Sequence, residues 1–111
     1  EILAAEGISA EVIDPRTIVP LDEETILGSV RKTSRAMVID EGHQSYGVTA
    51  EIASRISEKA FYHLDAPVIR MGAMDVPVPF SPALEDITVP TADGVADNAR
   101  KLVRGELVHA A

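Results

Sequence analysis

Cysteine is absent from this 111-residue chain, and its absence excludes several kinds of protein. Without thiols there is no disulfide scaffold, no thiolate zinc site and no cysteine nucleophile. A chain without cysteine fits a reducing compartment, so we predict a cytoplasmic location. No apolar run approaches the roughly 20 residues that span a bilayer, and no secretory signal opens the chain. The first residue is Glu1 rather than methionine, which predicts that the chain is part of a longer protein.

Positive charge is scarce as well. The chain carries 10 Lys and Arg against 18 Asp and Glu, for a net charge of -8. Such a surface repels phosphate backbones and anionic lipids, so we predict no nucleic-acid partner and no membrane partner. It favours a basic protein partner, although the charge could equally serve solubility alone. The apolar fraction of 46% and the charged fraction of 25% are those of an ordinary globular domain.

Sequence motifs for nucleotide binding and for hydrolysis are missing. The chain has neither G-x-G-x-x-G nor G-x-x-x-x-G-K-[ST], and its serines lie in no G-x-S-x-G context. Gly42 and Gly47 bound a loop that leads into a helix, a pattern that can hold phosphate. However, the same loop contains Glu41, which disfavours an anion. We therefore predict no cofactor-binding residue in this chain.

The three histidines and their neighbours also lack the pattern of an active site. Asp40, Glu41 and His43 lie together, but no further ligand follows at metal spacing, which argues against a metal site. His43 follows a predicted strand, where open α/β sheets place their sites, so a small-molecule site there stays open beside a plain loop histidine. His63 ends a helix and His109 lies near the chain end. We predict no catalytic and no metal-binding residue.

Helix and strand patterns alternate along the chain. Residues 1–6 have helical propensity and stop at Gly7, which is suited to closing a helix. A second helix begins at the cap Asp22, a third covers residues 48–63, and a fourth begins at Thr91 and stops at Gly105. Short β-branched or apolar runs predict strands at residues 8–14, 35–40 and 68–71.

Residues 72–90 are rich in proline but not of low complexity. Apolar residues alternate with the prolines, so we predict an ordered, extended loop that packs them on a surface: Val76, Val78, Phe80 and Leu84. The final helix is predicted to turn four residues inward: Val95, Ala99, Leu102 and Val103. Residues 106–111 are predicted to be a frayed tail.

Strands that alternate with helices pair in parallel through right-handed crossovers. We therefore predict a single α/β domain over residues 1–111, with a three-layer α/β/α sandwich and a mostly parallel sheet. Three strands are few for this architecture, in which about five are typical. The pattern thus predicts that the domain lacks its first strand or strands.

Five segments together resemble the C-terminal domain of the β subunit of thiamine-dependent 2-oxo acid dehydrogenases, nearest to the pyruvate and acetoin types. They read "AEVIDPRTIVPLDEETI", "VIDEG", "GVTAEIASRI", "LDAPVIRMGAMDVPVPFSPALED" and "VPTADGVADNARKL". The resemblance runs from about residue 6 to residue 102, and the fourth segment is its most specific part. It implies a transketolase C-terminal-like fold with a mostly parallel five-stranded sheet.

The resemblance also implies a function for the whole enzyme. Such enzymes decarboxylate a 2-oxo acid, or cleave acetoin, and pass the acyl group to lipoyl. Thiamine diphosphate and Mg²⁺ bind between the α subunit and the β subunit's N-terminal domain, which also carries the catalytic histidine. The C-terminal domain contacts the α subunit and the second β subunit. It also docks the basic subunit-binding domain of the acyltransferase, so this chain alone is not expected to be catalytic.

One residue of the chain matches the family's docking site. The acidic residue of the family's L-[DE]-A-P tetrapeptide is Asp65 here, although Asp65 could also be only a turn residue before Pro67. The family's chain end takes part in docking too, whereas this chain continues past that point over residues 105–111. Two alternatives remain: the C-terminal domain of a transketolase-like or deoxyxylulose-phosphate synthase-like enzyme, and a small-molecule-binding α/β domain.

Overall fold

The computed structural model describes residues 1–106 and contains a parallel sheet of two strands. Strand β1 (Met37–His43) pairs with β2 (Ile69–Ala73), with Met37 opposite Ile69. The register shifts between Ile39 and His43. Both strands overlap the segments for which the sequence predicted them, and helix α3 (Val48–Ala60) connects them. The parallel crossover is therefore confirmed.

The remaining helices are α1 (Ile2–Ala5), α2 (Glu23–Thr33), α4 (Pro82–Thr88) and α5 (Ala92–Arg104), and a 3-10 turn (Phe61–His63) follows α3. The predicted caps are confirmed. The Asp22 carboxylate accepts from the Thr25 N–H at 3.2 Å, and the Thr91 hydroxyl accepts from the Gly94 N–H at 3.1 Å. Gly105 has a φ of 72°, the left-handed conformation that ends a helix without steric cost. Within residues 1–106 no helix is both long and apolar enough to cross a membrane.

The core lies between α2, α3 and one face of the sheet. Its buried cluster consists of Leu27, Val30, Ile52, Ile56 and Ala60. Val68, just before β2, packs against this cluster. Successive side chains of a strand point to opposite faces of the sheet, so Met71 lies on the face opposite to Val68. There it contacts α5, because its sulfur lies 3.3 Å from the side-chain nitrogen of Asn98. Helices therefore cover both faces of the sheet, as the predicted three-layer arrangement requires.

Residues 8–14 do not form the predicted strand. The segment is held instead by the Glu11 carboxylate, which accepts from the Ser29 hydroxyl at 2.6 Å and from the Lys32 ammonium at 3.1 Å. Val12, which the prediction treated as part of the strand, is 89% exposed. A strand exists only where a neighbour completes its hydrogen-bond ladder, and among residues 1–106 the sheet contains only β1 and β2.

Two predictions about the C-terminal third are also wrong. The proline-rich segment contains a helix, α4, with Pro82 at its first position, where the missing N–H costs nothing. Its apolar residues do not pack on this chain: Val78 is 66% exposed and Phe80 is fully exposed. On α5, Ala96 and Leu102 are buried but Val103 is 45% exposed. Of the predicted tail, only Glu106 lies within the described residues, and its N–H donates to the Lys101 carbonyl at 2.9 Å.

Candidate docking site

Asp65 lies in the short loop between the 3-10 turn and β2. Its backbone N–H donates to the carbonyl of Ser34 at 2.9 Å, so the loop is attached to the end of α2. Its side chain is 63% exposed. One terminal nitrogen of Arg35, Nη1, lies 4.0 Å from its Oδ2. The backbone of this carboxylate is thus fixed while the carboxylate itself faces solvent.

The acceptor for that loop comes from the way α2 ends. Ser34 closes the helix with a φ of 63°, a left-handed conformation that is uncommon for a residue other than glycine. Its N–H donates to the Val30 carbonyl at 2.8 Å, and its own carbonyl accepts from the Asp65 N–H. The Thr33 hydroxyl lies 2.9 Å from the Ser29 carbonyl and 3.1 Å from the Arg35 carbonyl, and its single proton serves one of them at a time. The turn that ends α2 therefore positions the candidate docking residue.

A surface groove of about 890 Å³ runs beside Asp65 along α3. Small side chains of α3 line one side: Ala50, Ala53, Ser54 and Ser57. Phe61 and Tyr62 line its end, with ring centroids 5.3 Å apart in an edge-to-face arrangement. Tyr62 is 96% exposed, so the ring has no cover from the described residues. Besides Asp65, the groove is lined by one guanidinium, Arg70. It thus combines exposed aromatic surface with one charge of each sign, and aromatic and arginine side chains are enriched in protein contacts.

A second cluster lies at the carboxyl ends of the two strands, and sequence reasoning missed most of it. The Asp75 carboxylate accepts from both the hydroxyl and the N–H of Ser45. The Arg70 guanidinium donates to the Gln44 carbonyl at 2.9 Å. Parallel strands end at the same edge of a sheet, so the residues that follow β1 and β2 must meet there. That rule could have found the pair, because Ser45 and Asp75 each lie four or five residues after a predicted strand.

His43 belongs to this second cluster, and its side chain forms a hydrogen bond with the backbone of the loop after β2. Its Nε2 lies 2.9 Å from the Val76 carbonyl, so that ring nitrogen is the donor and the imidazole is tied to the loop after β2. Residues 1–106 contain no group of three His, Asp or Glu side chains that could hold a metal ion. His63 ends the 3-10 turn on the surface, and His109 lies outside the described residues.

The Ser45–Asp75 contact predicts a defined acid dependence of stability. The Ser45 hydroxyl, with its N–H second, holds the pKa of the Asp75 carboxyl below its ordinary value. A lowered folded-state pKa stabilises the fold above about pH 4, and this contribution is lost as the pH falls through the folded value. We expect Asp75→Asn to lower the urea midpoint by a constant amount above about pH 5 and by progressively less below about pH 4.

Ser45→Ala provides the matched variant for that measurement, because it removes the donor rather than the carboxylate. Its difference from the wild type should shrink over the same acid range. If the difference in urea midpoint between each variant and the wild type stays constant down to about pH 2, the Asp75 carboxyl does not contribute the expected pH dependence.

The fold and the site together define an α/β/α domain whose surface carries a groove lined by aromatic rings, one carboxylate (Asp65) and one guanidinium (Arg70). The chain belongs to the Transketolase, C-terminal domain family, which matches residues 1–95. The predicted resemblance and the predicted fold class are therefore confirmed.

Within this family the chain is similar to β subunits of pyruvate dehydrogenase and of an acetoin oxidoreductase. The chain is 48% identical over 101 residues to the pyruvate dehydrogenase E1 component subunit beta-1, mitochondrial, of Oryza sativa, covering 91% of this chain and 27% of that protein. It is 45% identical over 104 residues to the pyruvate dehydrogenase E1 component subunit beta of Acholeplasma laidlawii, covering 94% and 32%. It is 44% identical over 101 residues to the acetoin:2,6-dichlorophenolindophenol oxidoreductase subunit beta of Bacillus subtilis, covering 91% and 30%. The chain thus spans about a third or less of these relatives.

Proposed function

We propose that this chain is the assembly and docking domain of the β subunit of a thiamine-dependent 2-oxo acid or acetoin dehydrogenase. The whole enzyme would decarboxylate a 2-oxo acid, or cleave acetoin, and pass the acyl group to lipoyl. Relatives named as pyruvate dehydrogenase and acetoin oxidoreductase β subunits support this assignment. Cytoplasmic location remains a prediction from the lack of cysteine.

The observation that carries the docking role is the setting of Asp65. Its N–H is bound to the Ser34 carbonyl while its carboxylate is 63% exposed at the rim of the groove. An exposed carboxylate on a fixed backbone can pair with an arginine without movement of the loop, and an acidic surface accelerates the approach of a basic partner. The net charge of -8 supplies that field. The proposed occupant is the basic subunit-binding domain of the acyltransferase.

Thiamine diphosphate and Mg²⁺ are proposed for the full enzyme and not for this chain. Mg²⁺ takes oxygen ligands in octahedral geometry, and residues 1–106 hold no group of three acidic or histidine side chains. Near the end of β1 the Asp40 carboxylate accepts from the Gly42 N–H at 3.1 Å, so this glycine N–H is not available to a phosphate. No residue of this chain is proposed to hold the cofactor.

Contacts with an α subunit and with a second β subunit are the other part of the proposal. Apolar residues of the proline-rich segment and α4 are more than half exposed: Val78, Phe80, Leu84 and Ile87. Several large exposed apolar side chains within one short segment are typical of a subunit contact. These side chains support assembly into a larger enzyme.

The docking proposal predicts that Asp65→Asn weakens binding of the isolated subunit-binding domain to the intact dehydrogenase component. The loss of one charge-assisted hydrogen bond should weaken binding about fivefold to thirtyfold, or about 1 to 2 kcal/mol. Isothermal calorimetry measures the dissociation constant directly, and asparagine keeps the size of the side chain.

Glu58→Gln is the matched control, because it removes the same unit of charge from an exposed position on α3. It should change the affinity by less than about twofold at physiological salt. Equal affinities for the Asp65→Asn variant and the wild type would remove Asp65 from the docking site. A C-terminal domain of a transketolase-like or deoxyxylulose-phosphate synthase-like enzyme would instead bind no subunit-binding domain at all.

A further inference from the structure

We infer that Arg35 is a positioning residue for Asp65: it orients the carboxylate that the docking partner's arginine would bind. This inference rests on the proposed docking function. It adds a residue that touches no partner in the proposal and acts only through its neighbour. The supporting observations are the contacts that residues 34 and 35 make with Asp65, together with the unpaired side-chain nitrogen of Arg35.

The two consecutive residues hold different parts of Asp65. The Ser34 carbonyl binds its backbone N–H at 2.9 Å, and Arg35 Nη1 lies 4.0 Å from its Oδ2. Both contacts start from the turn that ends α2, where Ser34 has the left-handed conformation. The first contact fixes the backbone of Asp65, and the second is an electrostatic attraction that favours the carboxylate facing Arg35.

The Arg35 side chain is partly buried, and its hydrogen-bonding capacity is not fully used. Its Nε is buried and has no hydrogen-bond partner among residues 1–106, although the side chain as a whole is 37% exposed. A guanidinium presents five N–H donors in a rigid plane, a geometry that matches a carboxylate. At 4.0 Å the contact with Asp65 is an ion pair without a direct hydrogen bond. The contact is therefore electrostatic, and a direct hydrogen bond between Arg35 and Asp65 requires one of the two side chains to move closer.

Arg35 could instead compete with the partner, since two cations near one carboxylate repel each other. The geometry favours positioning. Arg35 approaches Oδ2 alone, the Asp65 side chain stays 63% exposed, and an ionised carboxylate has about four acceptor sites. The domain's net charge of -8 still attracts a basic partner. Positioning and competition predict opposite signs for the loss of Arg35, so binding measurements separate them.

The test uses the intact dehydrogenase component and the isolated subunit-binding domain, with dissociation constants from calorimetry. Arg35→Gln should weaken binding about fivefold, because the carboxylate loses its orientation. Arg35→Lys, which keeps the charge, should recover part of that loss. In a component that already carries Asp65→Asn, Arg35→Gln should have no further effect. This last result distinguishes positioning from a general structural role, which would weaken both backgrounds equally.

Three results would overturn the inference. Unchanged or tighter binding by Arg35→Gln would mean that Arg35 is neutral or competes. An equal loss in the Asp65→Asn background would mean that Arg35 acts on the fold and not through Asp65. If Asp65→Asn itself has no effect, both the docking proposal and this inference fail, whereas a loss with Asp65→Asn but none with Arg35→Gln removes this inference alone.

Discussion

Gly47→Ala is expected to destabilise the fold by about 3 kcal/mol, because a methyl group at this position collides with backbone. Gly47 is the N-cap of α3, and a Cβ built there approaches the His43 carbonyl oxygen more closely than real Cβ atoms come. The oxygen belongs to the last residue of β1 and cannot move without disturbing the strand. Alanine is also a poor N-cap, which adds to the cost.

Gly28→Ala is the matched control for this prediction. Gly28 lies inside α2, and a Cβ there meets nothing within 4 Å. Alanine favours a helix interior over glycine by about 1 kcal/mol, so this variant should be more stable than the wild type. Urea unfolding followed by circular dichroism measures both changes. Similar shifts in the two variants would contradict the proposed clash.

Ile56→Ala is expected to cost about 3 to 4 kcal/mol, a large part of the stability of a domain of this size. Ile56 is only 2% exposed and lies in the buried cluster between α2, α3 and the sheet. Truncation removes apolar contact and leaves a cavity that the neighbouring side chains of two helices fill only in part. The same cluster holds α3 against the sheet, so the groove beside Asp65 should loosen as well.

The comparison for Ile56 is Val103→Ala on α5, where the side chain is 45% exposed. That change should alter the unfolding free energy by less than about 0.5 kcal/mol, since little apolar surface leaves the core and alanine favours a helix. Chemical denaturation of the 111-residue chain measures both. A loss below about 1 kcal/mol for Ile56→Ala would mean that the cluster is not the main core.

Local features of the fold were predictable from residue chemistry. Asp22 and Thr91 begin helices because their side chains accept from an N–H three residues ahead, and Gly105 ends one because glycine tolerates positive φ. These interactions join residues within one turn of the chain, so they can be predicted from residues that are close in sequence. Ser34 escaped prediction because serine is uncommon in the left-handed conformation that it adopts here.

The candidate site was only partly predictable. Asp65 came from the resemblance to a family and not from its own surroundings, which only the folded chain supplies. Arg35 is 30 positions away along the chain, and no spacing rule connects the two. The same is true of Ser45 and Asp75, which meet because two parallel strands end side by side.

The sequence by itself determined the caps of α2 and α5, the parallel crossover, the net acidic charge and the family, because each depends on local chemistry or on a pattern of residues along the chain. Only the tertiary structure decided that residues 8–14 are not a strand, that Val78 and Phe80 are exposed, and that Arg35 faces Asp65. Strand pairing, burial and long-range ion pairs depend on which distant segments become neighbours. Which segments become neighbours depends on the folded chain as a whole and cannot be read from any single segment.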